Sequence, residues 1–120
     1  MKIAVSATES TLSTPIDSRF GRAKQFLIVD TDSNALAVLP NTQNLNAAQG
    51  AGIQAAQNVV NAGVQAVITG NCGPKAFRVL KAAGIAIYHC SDRSAGDAIK
   101  AILSGTLQPA ESANAESHWS

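Results

Sequence analysis

Aromatic side chains are scarce in this sequence, with three phenylalanines, one tyrosine and one tryptophan among 120 residues. A core of one domain's size must therefore be filled mainly by alanine, valine and isoleucine. Charge is sparse too, at 14% Asp, Glu, Lys and Arg and a net charge of +1. That balance leaves no electrostatic case for nucleic acid or an acidic membrane surface as a partner. Only two cysteines occur, Cys72 and Cys90, too few for a disulfide framework, so reduced thiols and a cytoplasmic setting are expected. No apolar run approaches the roughly 18–20 residues of a membrane span. The opening "MKIAVSA" is too short and too quickly interrupted for a signal peptide. The carboxylates Asp17, Asp30, Asp32, Asp92 and Asp97 fall on different predicted loops, which argues against a two-metal nuclease.

What is present is a series of short Val- and Ile-rich runs at 2–7, 25–31, 34–39, 66–69 and 85–88, each of strand length and bounded by turn residues. Asp32-Ser33 between the second and third reads as a hairpin. Helical patterns follow at about 47–62, from Pro74 to Gly84, and from Ser94-Ala95-Gly96-Asp97, a capping-box pattern, to Gly105. The expected buried faces are Ile53, Ala56 and Val60, then Phe77 and Leu80, then Ile99, Ile102 and Leu103. The order β-β-β-α-β-α-β-α predicts a single α/β domain over 1–109, with a mixed five-stranded sheet whose second strand is antiparallel, covered by three helices. Residues 110–120, "AESANAESHWS", lack periodicity and are expected to form a flexible tail that includes Glu116, His118 and Trp119. All nine Lys and Arg precede that tail, while Glu111 and Glu116 lie within it.

Ligands of open α/β sheets bind outside the carboxyl ends of the parallel strands. In this topology that edge collects Ser6-Ala7, the loop 40–52, "TGNCGP" at 69–74, "HCSDRS" at 89–94 and "RFGRAK" at 19–24. The "GNCGP" loop enters a helix at Pro74, where free backbone N–H groups favour an anion. It lacks the Gly-Lys-Ser/Thr of a Walker loop, and a tight strand-to-helix turn would also require its glycine and proline. Arg19, Arg22 and Lys24 surround Phe20-Gly21, which suits an anionic ligand or simply a solvated basic loop. Cys72, Cys90 and His89 offer soft ligands for copper, zinc or iron–sulfur centres, but without a spaced ligand motif. Two buried core thiols are the plainer reading. A Cys72 nucleophile with His89 as base and Asp92 as orienting group is the remaining catalytic arrangement.

The segments "FGRA" (20–23) before "FLIVD" (26–30), "GAGIQAAQ" (50–57), "VITGNCGPKAF" (67–77), "LKAAGI" (80–85) and "AIKAILSGTL" (98–107) carry a family resemblance. In that order and spacing, the chain from Lys2 to about Pro109 resembles the nitrogenase iron–molybdenum cofactor biosynthesis accessory family, the small dinitrogenase-cofactor-binding proteins. The resemblance implies a ribonuclease-H-like fold and a non-catalytic role in binding, storing or transferring an anionic metal–sulfide cluster. It implies a molybdenum–copper sulfide cluster as cargo, or alternatively the iron–molybdenum cofactor or its precursor, and a cluster donor or acceptor protein as partner. Two departures stand out. The loop after the third strand, "PNTQNLNAAQG", has amides where many members carry histidine, and Cys72 follows "TGN" where an apolar residue is usual. Without those histidines, the site is expected to hold an intact cluster by charge and hydrogen bonds.

The expected cluster-binding residues are Arg19, Phe20, Gly21, Arg22, Lys24, Asn44, Gly50, Gly52, Gly70, Asn71, Gly73, Lys75 and Arg93. Cys72, His89 and Cys90 are the candidate metal ligands. Arg19, Arg22 and Lys75 would balance the cluster's charge, glycines would let sulfides approach, and Phe20 would exclude water. A phosphate-handling enzyme built on "GNCGPK", or an interaction module using the same rim, are the competing readings.

Overall fold

The computed structural model describes residues 1–114. Five strands, β1 (Lys2–Ala7), β2 (Gln25–Asp30), β3 (Leu36–Pro40), β4 (Ala66–Thr69) and β5 (Ala86–His89), form one sheet in the order β3-β2-β1-β4-β5. β2 is antiparallel to β1 and β3, while β4 is parallel to β1 and β5. This is the mixed five-stranded α/β arrangement expected from the element order, and it agrees with the ribonuclease-H-like fold that the resemblance implied. The hairpin closes through Asn34 in the left-handed region, at φ 60°. There the Asp30 carboxylate accepts the Asp32 amide at 2.9 Å, and that bond lowers its pKa.

Helices α1 (Ala51–Asn61) and α2 (Pro74–Ala82) pack on one face of the sheet and α3 (Ala95–Leu103) on the other. Alternation along the strands supplies both cores. Ala4, Phe26, Val67 and Ile87 point toward α1 and α2; Ile3, Val5, Leu27 and Ile68 point toward α3. All three phenylalanines, Phe20, Phe26 and Phe77, lie on the two-helix side. Alanines complete the seams, letting helix backbones approach the sheet closely.

Several expected faces shift. In α1 the buried residues are Gly52, Ala55, Ala56 and Val59, not Ile53 and Val60, which are half-buried. The helix begins at Ala51 rather than 47 because Gln54 ties the preceding loop: its Oε1 accepts the Asn44 amide and its Nε2 donates to the Asn44 and Gln49 carbonyls. In α3 the buried residues are Ala95, Ala98, Ile99 and Ala101, the expected Ile102 packs half-buried against the same core, and Leu103 turns outward, 59% exposed. The edge strand β3 leaves Leu36 and Val38 exposed beside Val29 and Leu27, because among the described residues no helix covers that part of the α3 face.

Contacts with the sheet continue past Pro109. The Ala110 amide donates to the Ile87 carbonyl of β5, and Ala110 and Ala113 pack against the two-helix core. These contacts, with those of Asn114, join residues 110–114 to the edge of the sheet. Glu116, His118 and Trp119 lie outside the described residues.

Candidate functional site

The carboxyl edge of β1 and β4 is assembled by hydrogen bonds between three loops. The buried Ser6 hydroxyl donates to the Asp17 carbonyl at 2.9 Å and also lies 2.9 Å from the Thr69 hydroxyl. Asp17's carbonyl also accepts the Gly70 amide (3.2 Å), the Phe20 amide donates to the Asn71 carbonyl (3.1 Å), and Asn71 Nδ2 donates to the Ser18 carbonyl (2.7 Å). A Cβ on Gly70 would sit 2.7 Å from Ser18 Cα. The room left by Gly70 is thus used by the chain's own backbone. Together these contacts join "SRFGRAK" to "TGNCGP", the convergence that the topology had implied.

The third loop is fastened by amides. Asn41 Nδ2 donates to the Gly21 and Ala23 carbonyls, Gln43 Nε2 donates to Gly21, and Asn58 Nδ2 donates to Asn41 Oδ1. The amide side chains of this loop therefore act as stitching. Their loop and the start of α1 enclose a depression of about 240 Å³ that includes Arg22, Asn44, Gly50 and Gln54.

Both helices of this face begin at the same edge with open donors. The N-caps Gly50 of α1 and Gly73 of α2 provide no side-chain cap, and neither helix has an acidic residue in its first turn. By contrast, Ser94 Oγ caps α3 by accepting the Asp97 amide, and Asp97 lies in that helix's first turn. Uncapped N–H groups and the positive dipole end make α1 and α2 receptive to an anion. Arg19, Arg22, Lys24 and Lys75 are exposed around them. Arg19 is partly balanced by the buried Asp17, whose Oδ1 lies 4.0 Å from its Nε and accepts its backbone amide at 3.0 Å.

Other expected site residues are placed elsewhere. Phe20 is fully buried with its ring 5.3 Å from that of Phe26, so it supports the loop from beneath. Gly52 is buried in the first turn of α1. Arg93 lines a separate depression with Ser13, Pro15 and Asp92, beside the N-terminus of α3. Cys72 is fully buried in the two-helix core, where desolvation pushes its thiol up to about 12. It stays protonated at neutral pH and is closed to solvent, surroundings that disfavour both metal ligation and nucleophilic attack. Cys90 belongs to the opposite core, and burial raises its pKa as well. His89 lies on the Cys72 side, its ring 6.5 Å from Phe77, and burial lowers its pKa; its Nε2 is buried without a hydrogen-bond partner among the described residues. Among the described residues no group of three or more His, Cys, Asp or Glu is placed to hold a metal ion. The donor set therefore fits an intact anion bound from outside, not a bare metal ion.

One residue of this edge was missed. Asn114 Oδ1 accepts the Cys72 amide at 2.8 Å and its Nδ2 donates to the Gly70 carbonyl at 3.0 Å, while its own amide donates to the Cys72 carbonyl at 3.2 Å. Its segment has no periodicity, so only the fold reveals it.

The model of the dinitrogenase iron-molybdenum cofactor family matches residues 1–105. An uncharacterized protein of Methanocaldococcus jannaschii is 35% identical over 114 residues, covering 92% of each chain. The apo form of the orange protein from Desulfovibrio gigas superposes with a TM-score of 0.89 at 36% identity, over 95% of this chain and 96% of that one. An NMR structure of a Thermotoga protein proposed to be NifB gives a TM-score of 0.79 at 34% identity, covering 96% and 97% of the two chains. The chain belongs to the dinitrogenase iron-molybdenum cofactor family.

Proposed function

We propose that the protein is a non-catalytic, cytoplasmic carrier that holds an intact anionic metal–sulfide cluster over the N-termini of α1 and α2. Family membership and likeness to the orange protein support the metal-cluster role in general; the cluster proposed is molybdenum with copper, with molybdenum and iron as the alternative. One observation carries the location: two uncapped helix N-termini open at the edge where Arg19, Arg22, Lys24 and Lys75 are exposed, while the helix on the other face is capped. Cluster sulfides would accept hydrogen bonds from the free amides, and the four cations would offset the cluster's charge. Transfer to an acceptor protein follows from such a site, since an intact cluster held without protein-to-metal bonds can leave intact. The competing phosphate-enzyme reading loses its nucleophile with the burial of Cys72.

The test is anaerobic incubation of the cluster-free protein with tetrathiomolybdate and Cu(I), followed by desalting, metal analysis and a visible spectrum. Stoichiometric molybdenum and copper with a new charge-transfer band is the expected result. A colourless, metal-free product with both these metals and an iron–molybdenum precursor would sink the carrier reading. The Arg19→Ala/Arg22→Ala double variant should lose most retained cluster with an unchanged thermal transition; full retention would remove charge compensation.

A further inference from the structure

The segment after α3 runs along the outer edge of β5, where the Ala110 amide pairs with Ile87, and delivers Asn114 to the loop Gly70–Cys72. This loop has two neighbours. On one side Asp17, Ser18 and Phe20 bond Gly70 and Asn71; on the other, Asn114 alone among the described residues bonds Gly70 and Cys72 by backbone and side chain. Cys72 immediately precedes Gly73, the N-cap of α2. Packing of Ala76, Phe77 and Leu80 fixes the helix on the sheet, and what holds the Cys72 peptide restrains the turn from which the helix's first free amides project. Asn114 lies beyond the 105 residues that the family model matches.

We propose that Asn114 is the positioning residue of this loop: it sets the α2 N-terminus for anion binding without touching the cargo's metals. The inference rests on the carrier reading for its consequence but not for its geometry. Asn suits the place because one carboxamide supplies both an acceptor for the Cys72 amide and a donor for the Gly70 carbonyl. Alanine supplies neither. Aspartate keeps the acceptor, loses the donor and adds a negative charge beside the anion site.

Two readouts test this on the full chain. In the cluster-free protein, amide hydrogen exchange at Cys72 is measured by NMR for wild type, Asn114→Ala and Asn114→Asp. Exchange should quicken about fivefold or more in the alanine variant and stay near wild type in the aspartate variant. After loading with tetrathiomolybdate and Cu(I), colour should be lost faster from both variants. Unchanged Cys72 exchange in Asn114→Ala overturns the proposal, as does quickened exchange with wild-type colour retention. If wild type itself takes up no cluster, the carrier reading fails, and the exchange comparison alone decides whether Asn114 sets the loop.

Discussion

Cys72 shows how one side chain's surroundings decide its role. In the sequence its thiol sits in a glycine loop and suggests a soft ligand; in the fold its backbone belongs to the loop while its side chain is core. The unfolded thiol ionises near its ordinary value of 9.0, whereas the folded one holds its proton to about 12. Below pH 9 both states are protonated and nothing is lost. Above it the unfolded chain ionises first, so stability falls as pH rises, by about 2 kcal/mol at pH 10.5 from this group. Cys72→Ala should remove that component, lower stability at pH 8 by about 1 kcal/mol through lost burial, and leave cluster uptake unchanged. Urea unfolding at pH 8 and 10.5 checks it; equal pH losses in both proteins would show that the thiol is not held protonated.

At the scale of elements, the helices differ in how they begin. α3 carries a serine cap and an early aspartate, the ordinary means of satisfying and balancing a helix start. α1 and α2 have neither, and start with Gly50 and Gly73–Pro74. Gly50 has extended dihedrals, and nothing lies within 4 Å of the point a Cβ would occupy, so it accepts a side chain without strain. Gly50→Asp should therefore stabilise the fold by a few tenths of a kcal/mol while sharply lowering uptake of an anionic cluster. Gly50→Asn supplies the same cap without the charge and should keep more of the uptake. Thermal melts and metal analysis after desalting read the two effects separately, and undiminished uptake in the aspartate variant would remove α1 from the site.

For the molecule as a whole, the topology concentrates a small positive excess at one end of the sheet. Binding that depends on exposed Arg19, Arg22, Lys24 and Lys75 must be screened by salt, since the Debye length falls from about 10 Å at 0.1 M to 3 Å at 1 M. The fold depends on buried apolar cores and has few ion pairs among the described residues. Raising NaCl from 0.1 to 1 M should thus speed cluster release several-fold with little movement of the thermal midpoint. Salt-independent release would point to contacts other than charge.

Element order, strand direction and the meeting of "SRFGRAK" with "TGNCGP" were legible from local pattern, because apolar period, turn residues and Pro74 act over a few neighbours in sequence. Family membership was legible for the same reason, through short segments in a set order. Which side of a strand or loop each functional candidate faces was not. Phe20 and Cys72 turned out to be core, Arg93 belongs to another depression, and Gly70 serves Ser18. Those outcomes depend on what packs against each residue from distant parts of the chain, and a sequence window contains no such neighbour. Asn114 is the plainest case: 42 positions separate it from the Cys72 amide it accepts, and only the docking of its segment along β5 brings the two together.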